Sequence, residues 1–289
     1  MSTVAEPLTD TDAGGATGTG GGTGGGTGIG VQLRSEIRKF TTTKLWWILL
    51  LAMVVCSAGL TGLMVLGGLN APNSPMDFGT AQGVVPAYNL PVALACVFPL
   101  AVGVMMVTGE YNSRTIGTTL LSEPRRMRVY GAKVLVGLGA AFAYGVLTMA
   151  VSALVAAGLL SGHGEQTFLG ETSVLGALFG SIGVMTLWGA IGVGVGSLVR
   201  NQAAAIVGIL LLTQFLEPTL RILSSAMGSP DAGNFLPGGA GDVASGGTVL
   251  TAATDAGGAS QPFGFLVLAL YAVVLVALGG RRFARYEAS

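Results

Sequence analysis

Arg125, Arg126 and Arg128 follow directly on Pro124, and Lys133 comes soon after them. Guanidinium groups this close together offer forked hydrogen bonds to carboxylates or phosphates. The cluster therefore suits an acidic partner protein or anionic lipid head groups. It closes the stretch 109–133, GEYNSRTIGTTLLSEPRRMRVYGAK, which is too polar to cross a membrane and too long for a turn. Ile116, Leu120 and Leu121 make a short apolar face at helical spacing, and Pro124 permits a new helix start. The residues alone weigh two readings evenly: a docking element of two short helices with a basic corner, or a loop that only sets topology and touches lipid.

A second candidate is Glu217-Pro218 with Arg221, an acid and a base four positions apart, at the end of an apolar run. Such residues can pair on one helix face. Ionisable groups near membrane depth are functional candidates. For Glu217 the simpler role is pairing or capping near the outer surface. These three residues are the candidates for an outer gate.

Other chemistry is poorly supported. His163, the single histidine, reads as a neutral residue in a short external loop. Cys56 and Cys96 lie in apolar stretches and read as small hydrophobes, with no disulfide or metal spacing around them. No nucleophile motif or buried carboxylate pair supports a hydrolase. The glycine run at 20–28 is no phosphate loop, because G-x-x-x-x-G-K-[ST] occurs nowhere in the chain. No catalytic, cofactor-binding or metal-binding residue is assigned, and the chain is expected not to be an enzyme. Almost no acid or base falls inside the spans beyond their edges. An ion-coupled carrier normally needs such groups near the midplane, so the driving energy should enter from elsewhere.

The elements that must position these residues are membrane spans. Apolar residues make up 51% of the chain and charged ones 10%, too few charges to cover a soluble domain. A bilayer span needs about 20 apolar residues. Six stretches qualify: about 45–69, 88–108, 134–160, 174–199, 202–222 and 263–280, the fifth only if it continues past Glu217. Pro91 and Pro99 predict a kink or break in the second. All the Lys and Arg residues except Arg221 fall before span one, between spans two and three, between four and five, or after six. Positive residues stay cytoplasmic, so both termini are expected inside.

The flanking segments complete the layout. Residues 1–30 are Gly/Thr-rich and read as a disordered tail. Residues 31–44 place Leu33, Ile37 and Phe40 at helical spacing among Arg34, Arg38, Lys39 and Lys44, as an amphipathic helix in the interface does. Beyond span five, Leu220, Ile222, Leu223, Ala226 and Met227 extend an apolar stripe that suggests re-entrant half-helices. Residues 238–260 are small and polar and read as an external loop. The Gly176/Gly180 and Gly192/Gly196 pairs let helices approach closely, most simply within one bundle. The expected fold is an all-α membrane protein with six transmembrane helices, an interfacial N-terminal helix and an outer re-entrant segment between spans five and six. The transmembrane domain covers 31–285, and 286–289 form a C-terminal tail.

On these residues the chain resembles the membrane (permease) subunit of a bacterial ABC-2 type ABC transporter. GEYNSRTIGTTL followed by EPRRMRVYGAK is similar to that family's GEY…TI…TL…P-R-R…K pattern, and Glu217-Pro218 followed by LPGGA is similar to its outer segment. Richness in Gly, Ala and Val gives an actinobacterial style. The resemblance implies that Glu110, Tyr111, Thr115, Thr119, Pro124, Arg125, Arg126, Arg128 and Lys133 belong to the region coupled to a separate ABC ATPase subunit, which would hold ATP and Mg. It also implies a second permease subunit, identical or similar, contact with membrane lipid, no nucleic acid, and export across the bacterial plasma membrane. The substrate would be amphipathic: a drug, antibiotic, lipid or peptide. The alternatives are a non-transport anchor or sensor-complex subunit and, behind that, an ion-coupled carrier.

Overall fold

The apolar runs fold as helices because in lipid every backbone polar group must be satisfied within its own segment. The computed structural model describes residues 29–71, 77–112, 126–199, 201–254, 256 and 258–285. Of the expected tail at 1–30, residues 1–28 lie outside the described residues and Ile29 and Gly30 already begin a helix; residues 286–289 and most of the 109–133 connection, with Thr115, Thr119, Pro124 and Arg125, also lie outside the described residues. Among the described residues the chain is helical with no strand. Six helical segments are long and apolar enough to cross a membrane.

Helix α1 (Ile29–Thr42) precedes the first span, α2 (Leu45–Asn70). The second span is α3 (Ala81–Ala95) and α4 (Val97–Asn112), broken at Cys96. It begins earlier than the sequence suggests. Only one of the two expected prolines marks the break: Pro99 sits in the first turn of α4, where its missing N–H is tolerated, while Pro86 and Pro91 lie inside α3. The third span is α5 (Arg126–Gly162), which starts well before residue 134. The fourth is α6 (Thr172–Leu198).

The fifth span does run past Glu217. Helix α7 (Gln202–Leu211) passes through a π turn (Leu212–Leu216) into α8 (Glu217–Ala226). The Glu217 N–H donates to the Leu212 carbonyl, five residues back. The wider turn has a cause in Pro218, whose ring has no N–H and crowds the carbonyl four residues back.

The segment 238–260 corrects the expectation of an external loop. After a 3₁₀ turn (Pro230–Phe235) the chain forms α9 (Pro237–Ala244) and α10 (Val249–Ala253), and Gly239 to Ala244 are all buried. Small residues let α9 sink between α3, α6 and the last span, α11 (Gln261–Ala284). The buried Asn89 side chain of α3 donates to the Ser245 carbonyl at the end of α9 and accepts from Ser181 of α6 at 3.1 Å.

Helix α6 is the hub, packed on α4, α5, α11 and α3. Its approach to α4 is backbone to backbone: a Cβ on Gly192 would lie 2.2 Å from the Leu100 carbonyl oxygen. The Gly192/Gly196 pair thus packs within this chain, as does Gly180, against the Ala244 carbonyl. Gly192→Ala should therefore force α4 from α6 and destabilise by about 1–3 kcal/mol or more. Gly139→Ala, with nothing within 4 Å, should be neutral or slightly stabilising. Thermal unfolding of both variants in detergent checks the contrast.

Candidate functional site

Four charged side chains meet where α1, the last turn of α4 and the start of α5 converge. Glu36 and Lys39 are three apart on α1 and share a face. Glu110 comes from α4 and Lys133 from α5. Lys133 Nζ lies 2.7 Å from Glu36 Oε2 and 2.8 Å from Glu110 Oε1. Lys39 Nζ lies 2.8 Å from Glu36 Oε1 and 2.7 Å from Glu110 Oε1. Lys133 also donates to the Met106 carbonyl at 3.4 Å. Two carboxylates and two ammonium groups thus form one closed, neutral cluster.

Burial divides the cluster. Lys133 is 1% exposed and Glu36 2%, whereas the Lys39 side chain is 41% exposed. Burial acts to lower the Lys39 pKa, but the hydrogen bonds and charges of Glu110 and Glu36 outweigh it and hold the ammonium above its ordinary value. Taking ions out of water costs several kcal/mol each, which only close pairing offsets. The cluster can therefore form only if α1 docks in this register. It has no nucleophile and no metal-ligand set; its chemistry is a mechanical tie between α1 and two spans. A cavity of about 540 Å³ opens beside it, walled by Phe40, Trp46, Met105 and Met106.

This arrangement changes the picture of α1. The face turned to the protein is polar, with Gln32 and Glu36 buried, while Ile37 is half exposed. Of the expected apolar stripe, Ile37 is left on the side away from the bundle, whereas Phe40 packs against the core and beside Trp46. Glu36 was not among the sequence candidates. A lone acid among the basic residues of 31–44, three positions from Lys39, was the available signal.

The other candidates separate. Lys133 does not face a partner surface; it is enclosed and bonded to Glu36. Tyr111 packs on Val107, Val129, Tyr130 and Phe283. Arg126 Nη1 donates to the Ala284 carbonyl at 3.0 Å, at the C-terminal end of α11 where carbonyls lack helix partners. Arg128 is half-buried. The structure thus brings Glu110 and Lys133 together, with Arg126 tied instead to the last span.

Level with the middle of spans two and four lies a second buried set. Arg221 Nη1 pairs with Asp242 Oδ2 of α9 at 2.7 Å, not with Glu217. Glu217 Oε2 instead accepts from the Gly238 N–H at 2.6 Å, capping the first turn of α9. Glu217, Arg221 and Asp242 are 2%, 3% and 6% exposed. Glu217 and Arg221 belong to the fifth span. That corrects the expectation that the spans carry almost no acid or base beyond their edges.

Six spans around a glycine-rich hub, with a short helix locked to the ends of two of them by buried charge, define a multi-pass membrane protein. The chain belongs to a known family of that class: the model of the ABC-2 family transporter proteins matches residues 32–216. It is the permease-type, transmembrane component of an ABC transporter, the kind that works with an ABC ATPase subunit. No curated protein matches the chain in sequence. The match ends just before Glu217, so the segment carrying Arg221 and Asp242 lies beyond it.

Proposed function

We propose that this chain is the permease subunit of an exporter in the bacterial plasma membrane, with both termini cytoplasmic, moving an amphipathic substrate such as a drug, antibiotic, lipid or peptide. ATP and Mg are held by the separate ATPase subunit. The observation that supports this most directly is the buried four-charge cluster. It makes α1 and the facing ends of spans two and three one mechanical unit, on either side of the 109–133 connection. A push on that connection by the ATPase is then transmitted to α1, α4 and α5 together. Alternating access follows if the ATPase binds one arrangement of the spans more tightly than the other. A second permease subunit, identical or similar, completes the path. The fifth span, the least covered within the chain, is the surface we assign to it.

The coupling region is assigned to Glu110, Tyr111, Thr115, Thr119, Pro124, Arg125, Arg126, Arg128 and Lys133, with two different roles. Arg125, Arg126 and Arg128 form the corner that meets the partner, Arg126 while also anchored through Nη1 to the Ala284 carbonyl of the last span, whereas Glu110 and Lys133 hold the frame behind them. Glu217, Pro218 and Arg221 stand at the outer gate. In the double variant Arg125→Glu with Arg126→Glu, co-purification of the ATPase subunit and export in vesicles should both fall at least about tenfold, the equivalent of one lost charge-assisted contact. Association and export at wild-type levels would overturn the docking role of the arginine corner.

A further inference from the structure

The buried trio surrounds a chamber of about 200 Å³ between α3, α6, the π turn, α8 and α9. Three polar atoms of its walls are buried and without a hydrogen-bond partner: Glu217 Oε1, Arg221 Nε and Arg221 Nη2. Their residues are at least nine-tenths buried, and an unpaired polar atom at that depth costs about 1–3 kcal/mol, more where the group is charged. The charges are also uneven. Glu217 and Asp242 supply two carboxylates against the single guanidinium of Arg221, and Asp242 is already engaged with Arg221 Nη1. What is missing is a cationic donor for Glu217 Oε1 and an oxygen acceptor for the free guanidinium edge. Trp188, Gln214 and Leu250 close the remaining walls.

From this geometry we infer that the chamber is a binding site for an ammonium group with a neighbouring oxygen acceptor, the head of an amino-alcohol or aminophosphate amphiphile. The ammonium donates to Glu217 Oε1 and brings the missing positive charge. The oxygen accepts from Arg221 Nε and Nη2, whose side-by-side N–H groups suit one oxygen or two. Drug-sized pockets run to about 300–1,000 Å³. The chamber therefore takes a head group and leaves the chain of the amphiphile outside. The inference goes beyond the exporter reading, because binding needs neither ATP nor a partner.

The test uses the purified full-length permease in detergent without ATPase. A Trp46→Phe, Trp47→Phe background leaves Trp188, on the chamber wall, as the only fluorophore of its kind. The probes are N-dodecylethanolamine, lysophosphatidylethanolamine, dodecane-1,2-diol and dodecyl phosphate. Saturable change of Trp188 emission is expected with one or both nitrogen-bearing probes and not with the diol or dodecyl phosphate. Preference between the two nitrogen probes tells a free amine from a lipid head group. Glu217→Gln should weaken that binding about 10- to 100-fold, as loss of a charge-assisted hydrogen bond does. Leu250→Phe, which narrows the chamber without adding a tryptophan or touching its charges, should weaken it similarly and decides the matter if Glu217→Gln does not fold. No saturable binding, equal binding of the diol or dodecyl phosphate, or unaltered binding in a folded variant would each overturn the site. Failure of the exporter reading shows separately, as loss of ATPase co-purification with binding intact.

Discussion

Lys133→Met is expected to destabilise the protein by about 3–5 kcal/mol, the usual cost of stranding a buried ionic partner. Lys133 is the only group that reaches Glu36 Oε2 among the observed ion pairs, and it shares Glu110 Oε1 with Lys39. Without it, two carboxylates face a single ammonium at the junction of α1, α4 and α5. Lys39→Met should cost less than about 1 kcal/mol, because a half-exposed lysine competes with water for the same carboxylates. Glu36→Gln combined with Lys133→Met leaves Lys39 and Glu110 as a balanced pair and should recover most of the loss. Thermal unfolding in detergent at one ionic strength reads all three. Equal effects of the two lysines would mean that the cluster is solvated and is no tie. The double variant also separates roles: restored stability with weakened coupling of ATP hydrolysis to export would place the cluster in force transmission.

Asp242→Ala is the second large effect, again about 3–5 kcal/mol. Arg221 Nη1 has Asp242 as its ion-pair partner, and Nε and Nη2 have none, so the variant leaves a guanidinium that is 3% exposed with no hydrogen bond to its charge. Helix α9 should then loosen from α8, and protease sensitivity near Gly233 to Gly239 should rise. Replacing both partners, Arg221→Met with Asp242→Leu, removes the desolvation cost with the pair. Such swaps are often neutral or stabilising. The double variant is therefore expected to unfold at or above the wild-type temperature while losing binding of the amine probes. If the single variant unfolds like wild type, the pair contributes nothing at that depth.

Much of the fold was legible in the residue order. Six apolar runs of sufficient length became six spans, because length against bilayer thickness is a one-dimensional property. The basic residues at the chain's turns likewise gather at one end, around α1, the start of α5 and the end of α11. Proline positions carry less information about kinks. Pro91 interrupts nothing, whereas Pro218 leaves its mark as a π turn. A proline's effect depends on how the packed helices accommodate the carbonyl four residues back, which residue order does not show. Residues 238–260 read as a loop in sequence because a short Gly/Ala helix has the composition of one. What makes it a buried helix is the space left by small residues on α6 and α11, such as Gly180 and Gly264.

The sequence by itself determined the class of the protein, the number of its spans and the family pattern, because hydropathy, length and motif order are all carried along the chain. Tertiary structure alone decided the charge partners. Glu36 meets Lys133 from 97 positions away, and Arg221 chooses Asp242 rather than the acid four residues before it. Pairing between buried charges is set by which side chains the packed helices bring within about 3 Å in a water-poor interior, where an unpaired charge is too costly to persist. Spacing along one helix supplies candidates for such contacts; only the crossing of helices selects among them.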